Sequence, residues 1–227
     1  MNNPKTTPPQ PDGYLALPPT GSGNGVLVLH AWWGLNDTIK SVCDRLAQSG
    51  FVAFAPDLYH GKVAHTIPEA EILGSAIDAN HLQAEAETLE AVKYLSRRAG
   101  GSNPSVAVVA ISLGGYYALH LSEVDPEHIR FVVLFYGTDG NVGGAYKNSR
   151  AEYLGHFAEN DQFETPSIVD TLEQTLKSAG RRVIFYRYPG TKHWFFEPDR
   201  PDAYDPAAAS LAWDRTLAFL KTSFASI

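Results

Sequence analysis

Short unbroken apolar runs alternate along this chain with longer segments in which apolar residues recur every three or four positions. The runs are Val26 to His30, Phe51 to Ala55, Val106 to Ile111, Phe131 to Tyr136, Tyr153 to Ala158 and Val183 to Tyr188. Their β-branched, continuous character predicts strands buried on both faces, as in a parallel sheet. Between them, Ile39, Val42, Cys43, Leu46 and Ala47 keep helical spacing after a cap at Asn36 or Asp37 and stop at Gly50. Pro68 to Arg98 has helical composition, with Gly74 predicted to weaken its middle and divide it in two. Thr165-Pro166 supplies a cap and an N1 proline for a helix ending at Ala179-Gly180, and Ala207 to Phe219 is the last helix. Strand and helix alternate without an internal repeat, which predicts an α/β fold with a mostly parallel central sheet and helices on both faces. Gly13 to Leu17 reads as a short edge strand. Residues 1–12, rich in Pro, Asn, Thr and Gln, read as a flexible arm before a single domain over 13–227.

Composition narrows the functional classes. The chain has 227 residues, enough for one α/β domain, and its net charge of -7 comes without any basic run, which argues against nucleic acid as a partner. No apolar segment is long enough to cross a bilayer, and no charged-then-apolar leader begins the sequence, so no membrane partner is expected. The single Cys43 cannot form an internal disulfide and falls in a helical apolar stripe, so it reads as a core residue in a cytoplasmic protein. His60 and His65 have no accompanying cluster of carboxylates or cysteines, and neither a metal nor a cofactor is implied.

The chemistry gathers where predicted strands end. Ser112 follows Val106 to Ile111 and precedes Leu113-Gly114-Gly115, so it sits on a strand-to-helix turn of the nucleophile-elbow kind. The pattern G-x-S-x-G reads Ala110-Ile111-Ser112-Leu113-Gly114, with alanine in the first glycine position. The competing reading has Ser112 merely capping the helix. Asp161 follows the strand Tyr153 to Ala158, and His193 follows Val183 to Tyr188, giving the order nucleophile, acid, histidine of the α/β-hydrolase fold. Serine needs an imidazole to take its proton, and the imidazole needs a carboxylate to hold its tautomer. Glu159 and Glu164 are alternative acids. Backbone N–H groups of Leu113 and Trp32 are the candidate oxyanion donors.

The stretches Trp33-Gly34-Leu35-Asn36, Pro56-Asp57-Leu58-Tyr59, Ser112-Leu113-Gly114-Gly115, Tyr136-Gly137, Asn160-Asp161-Gln162-Phe163 and His193-Trp194-Phe195, with the closing helix, resemble the dienelactone hydrolase family from about Val26 to Leu220. The resemblance implies the triad Ser112, Asp161 and His193 already picked out. It also exposes departures. The family's founding members use a cysteine nucleophile, where this chain has Ser112, and a controlling glutamate, where it has Ala31. They hold a substrate carboxylate with arginines, one of them at the position of Glu197, and no arginine occurs here between Arg45 and Arg97. A neutral small ester or lactone is therefore the expected substrate, in a pocket walled by Trp32, Trp33, Tyr59, His60, Tyr116 and Trp194. The same triad would also serve a thioesterase, a peptidase or a carbon–carbon hydrolase, and a binding protein that has lost turnover would keep the fold. A monomer or homodimer is expected.

Overall fold

The computed structural model describes residues 9–100, 104–140 and 143–227. Of the expected N-terminal arm, residues 1–8 lie outside the described residues; Gln10 accepts a hydrogen bond from the Tyr94 hydroxyl, and the Asp12 carbonyl accepts one from the Asp57 N–H.

A seven-stranded sheet in the order β1-β3-β2-β4-β5-β6-β7 carries the molecule. Strands β2 (Gly25–Leu29), β3 (Val52–Pro56), β4 (Val106–Ile111), β5 (Ile129–Phe135), β6 (Glu152–Asn160) and β7 (Val183–Lys192) are mutually parallel. The short β1 (Gly13–Ala16) adds antiparallel to β3 at one edge. The predicted α/β architecture, a mostly parallel sheet with helices around it, is the one observed.

The unbroken apolar runs are explained by what each alternate side chain meets. Val26, Val28, Val109, Val133 and Phe135 join the core built with α1 (Asp37–Gln48) and α6 (Pro206–Phe224). Leu27, Leu29, Val108, Ala110, Val132 and Leu134 pack instead with α3 (His81–Arg98), α4 (Gly114–Val124) and α5 (Pro166–Ser178). Successive strand residues point to opposite faces, so a strand covered on both sides must be apolar at every position.

Four expectations need correction. The 68–98 region does divide, but at Asn80, between α2 (Ile67–Ala79) and α3, and Gly74 lies inside α2. Gly74 is there for space: a Cβ at this position would overlap the Trp32 indole, so its absence lets α2 lie on that ring. The start of α2 is fixed by a capping box that the Thr66-x-x-Glu69 spacing encodes: the Glu69 N–H donates to Thr66 Oγ1 while the Thr66 N–H donates to Glu69 Oε2. Second, β7 continues past Tyr188 through Pro189-Gly190 to Lys192. Proline lacks the N–H a central strand would need, but β7 is an edge strand, where that loss is tolerated. Third, Thr165 precedes α5 without any side-chain capping bond, leaving Pro166 as the start signal. The last helix also runs longer than expected, from an Asp205 cap that accepts from the N–H groups of Ala207 and Ala208. Among the described residues, no helix is long and apolar enough to cross a membrane.

Candidate active site

Because six strands run the same way, the loops after β2, β4, β5, β6 and β7 emerge at one edge of the sheet. The chain leaves β2 outward to β3 and returns on the other side of β2 to β4, so β2 and β4 flank a topological switch point, where ligands bind in open parallel sheets. Ser112 is the first residue after β4, and Trp32 lies in the turn after β2, whose Leu29 pairs with Ala110.

Ser112 adopts φ 50°, a left-handed conformation that costs a non-glycine residue energy and is held by its surroundings. Its N–H donates to the Phe135 carbonyl of the neighbouring strand at 2.9 Å, and its own carbonyl accepts from the Gly115 N–H at 2.8 Å. The small residues around it are required by contact. A Cβ on Gly114 would come within 2.7 Å of the Leu29 carbonyl oxygen, and one on Gly115 within 2.7 Å of the Gly137 backbone. Ala110, by contrast, is an ordinary buried strand residue paired between Leu29 and Leu134, so the first glycine of the pattern is dispensable here.

The structure brings the three strand-end residues together. Ser112 Oγ lies 2.9 Å from His193 Nε2, and His193 Nδ1 lies 2.7 Å from Asp161 Oδ2. The other carboxylate oxygen, Oδ1, accepts the backbone N–H groups of Phe163 and Glu164, each at 2.9 Å. An ionised carboxylate only accepts, so Nδ1 is the donor in the neutral ring and Nε2 is left with its lone pair toward the serine hydroxyl. His193 is 6% exposed, and its ring packs on Tyr136 at 4.8 Å and Phe163 at 4.9 Å. The alternative acids are committed elsewhere. Glu159 accepts from the Gly190 N–H, and Glu164 accepts from the N–H and hydroxyl of Thr138, tying the loop after β6 to the loop after β5. Burial raises the Glu164 carboxyl above its ordinary range.

A cavity of about 590 Å³ adjoins Ser112, His193 and Leu113. Of the residues expected to wall it, Trp32, Tyr116 and Trp194 do so, together with Tyr117, Thr138 and Phe163, which are not among the expected walls. The Tyr116 hydroxyl donates to Glu85 at 2.8 Å, fixing that ring. Tyr59 and His60 lie outside this cavity, correcting their expected place, and Trp33 borders not this cavity but its neighbour beyond Phe163 and Trp194. Tyr59 is 5% exposed and packs edge-on against His30 at 4.8 Å beneath the loop after β3. His60, in the same loop, faces Glu87 at 3.6 Å. β3 is separated from β4 by β2, which carries this loop away from Ser112. Trp33 turns down beneath Arg200, whose guanidinium stacks 3.6 Å from its ring centroid. His30 is wholly buried with Nδ1 bonded to the Ala31 carbonyl, and burial lowers its pKa, keeping it neutral.

Glu197, which stands where an arginine was expected from the family pattern, faces no open cavity. It is wholly buried, and its Oε1 accepts from the Tyr136 hydroxyl at 2.9 Å behind the His193 ring. Burial pushes its carboxyl up to about 8, opposed by the Tyr136 bond, with Asp199 raising and Arg200 lowering it. A carboxyl near 8 when folded and in the ordinary range when unfolded holds its proton longer in the native state. Its contribution is therefore fully present below about pH 4.5 and is lost as pH rises through about 8. Denaturant melts are expected to show the wild type losing more stability between pH 5 and 8 than Glu197→Gln, by up to a few kcal/mol. Parallel losses in the two proteins would remove Glu197 as the source.

Comparison with known proteins agrees with this architecture. The profile described as "Dienelactone hydrolase family" matches residues 12–224. "Protein usf" of Aquifex pyrophilus is 35% identical over 214 residues, covering 92% of each chain. A protein named "Putative carboxymethylenebutenolidase" from Aquifex aeolicus is 31% identical over 220 residues, again covering 92% of each. A crystal structure titled as a putative dienelactone hydrolase from Klebsiella pneumoniae superposes with a TM-score of 0.77 at 26% identity, covering 91% of this chain and 90% of the other. With an elbow serine, a histidine and an aspartate at three parallel strand ends, and a family profile spanning nearly all of its length, the chain belongs to the dienelactone hydrolase family of α/β-hydrolases.

Proposed function

We propose that this protein is a serine hydrolase that cleaves small, uncharged carboxylic esters or lactones through an acyl-enzyme. The observation that carries the reading is the chain of contacts from Ser112 Oγ to His193 Nε2 at 2.9 Å and from His193 Nδ1 to Asp161 at 2.7 Å. In the first half-reaction the Ser112 oxygen attacks the ester carbonyl carbon as His193 Nε2 takes the hydroxyl proton. The carbonyl oxygen becomes an oxyanion facing the N–H groups of Leu113 and Trp32. Collapse breaks the bond to the alcohol oxygen, which receives the proton from His193 and departs, leaving the acyl group on Ser112. In the second half, His193 takes a proton from water, the hydroxide adds to the acyl carbon, and the proton returns to Ser112 as the carboxylic acid leaves. Asp161 holds the ring and stabilises its transient positive charge throughout.

The lining of the cavity supports this substrate class. Among the described residues lining it there is no lysine or arginine, whereas Asp78, Asp139 and Glu164 are present, so an anionic acyl group has no counter-charge there. The name carboxymethylenebutenolidase carried by a relative supports a lactone or ester as substrate class, and the missing cation argues for a neutral one.

A fluorophosphonate probe tests the reading without a known substrate, because it phosphonylates only a serine with an activated hydroxyl. Intact-mass analysis is expected to show one added phosphonyl group in the wild type and none in Ser112→Ala. Absence of labelling, or equal labelling of the variant, would overturn it.

A further inference from the structure

A second cavity, of about 570 Å³, shares a wall with the first. Phe163, His193 and Trp194 border both, whereas Ser112, Leu113 and Tyr116 border only the first and Trp33, Ile67 and Arg200 only the second. The shared wall is aromatic and includes the ring that must hand a proton to the departing alcohol. Phe163 is its most open member: the residue is 43% exposed, its ring meets His193 at 4.9 Å and Trp194 at 5.6 Å, and only its backbone N–H is pinned, to Asp161. The half-buried Trp194 indole gives the second cavity an aromatic surface, and Trp33 lies at its wall under the Arg200 guanidinium. Its cations Lys192 and Arg200 are matched by Asp199 and Asp202, so it has no charge preference.

We propose that the second cavity receives the alcohol half of the ester, a neutral and preferably aromatic alcohol, and that Phe163 determines how large an alcohol can enter. The inference rests on the serine hydrolase reading. Ester hydrolysis requires the bond being broken to lie at His193, so the two halves of the substrate must diverge from there. The acyl half stays beside Leu113 and Tyr116. The alcohol half runs past Phe163 toward Trp33 and Ile67. Phe163 is thus a specificity-determining residue rather than part of the proton relay.

The test compares kcat/KM for 4-biphenylyl butyrate with that for phenyl butyrate, two esters with one acyl group and similar leaving groups. The ratio is expected to rise about tenfold in Phe163→Ala, a discrimination typical of a pocket wall moved by a few carbon atoms. It should fall in Phe163→Trp, and the gain should shrink in Phe163→Ala combined with Ile67→Trp, which adds a bulky ring at the wall of the second cavity. An unchanged ratio in Phe163→Ala, a gain undiminished by Ile67→Trp, or an equal gain for longer acyl chains on phenol would overturn the proposal. Phenyl butyrate separates the two claims: Ser112-independent turnover, or none, sinks the hydrolase reading itself, whereas Ser112-dependent turnover with an unmoved ratio sinks only the second cavity.

Discussion

Ser112→Ala is expected to lower kcat on a p-nitrophenyl ester by about a million-fold while leaving the protein folded. The size of the loss follows from the role proposed for the hydroxyl, since without it His193 has no nucleophile to activate and the acyl-enzyme cannot form. What remains is the modest acceleration that oxyanion donors and binding give to direct attack by water. The fold should be indifferent because alanine adds no atom to a crowded turn. It occupies φ 50° at much the same cost as serine, and the interactions that hold the turn are made by the backbone of Ser112 with Phe135 and Gly115. Thermal melts of the two proteins should nearly coincide. A variant that keeps a tenth or more of wild-type turnover contradicts the assignment.

Asp161→Asn should cost about ten-thousand-fold in kcat, although it changes no volume. The reason lies in the two backbone amides that Asp161 Oδ1 accepts from Phe163 and Glu164. Asparagine must place its only carbonyl oxygen against those donors, and its NH2 group then faces His193 Nδ1. Nδ1 becomes an acceptor, the ring proton moves to Nε2, and Nε2 points a proton at Ser112 where a lone pair is needed. The loss should fall on kcat, with the melting temperature little changed. A reduction under tenfold would show that the tautomer does not govern the reaction.

Much of this candidate site was legible in the sequence because its three polar residues obey a positional rule. Ser112, Asp161 and His193 each follow an apolar run, and in a parallel sheet the ends of such runs share one edge. What lay beyond reach was the lateral order of the strands. Tyr59 and His60 also follow an apolar run, but β3 lies beyond β2 from Ser112, and composition does not say so. Neighbouring residues can also part company: Trp32 walls the Ser112 cavity while Trp33 lies under Arg200, a choice set by the turn in which the Gly34 N–H bonds the Ala31 carbonyl. Gly74 was misjudged because its cost to a helix is visible in sequence, whereas the indole it accommodates comes from a loop some forty residues earlier. The wall residue Thr138 carried no local signal, since it reaches the cavity only because β5 adjoins β4. Phe163 had one, in its position two residues after Asp161, where its N–H caps the carboxylate and its ring is carried onto His193.

The covalent intermediate is the centre of the account, and rapid mixing of the protein with p-nitrophenyl butyrate tests it most directly. Release of nitrophenolate should begin with a burst approaching one equivalent per active site wherever deacylation is the slower half, and rapid acid quench should trap butyryl-Ser112 by mass. Ser112→Ala should show neither. Turnover by the wild type with no trappable acyl group on Ser112, or the same acyl adduct and release in the variant, would contradict the mechanism.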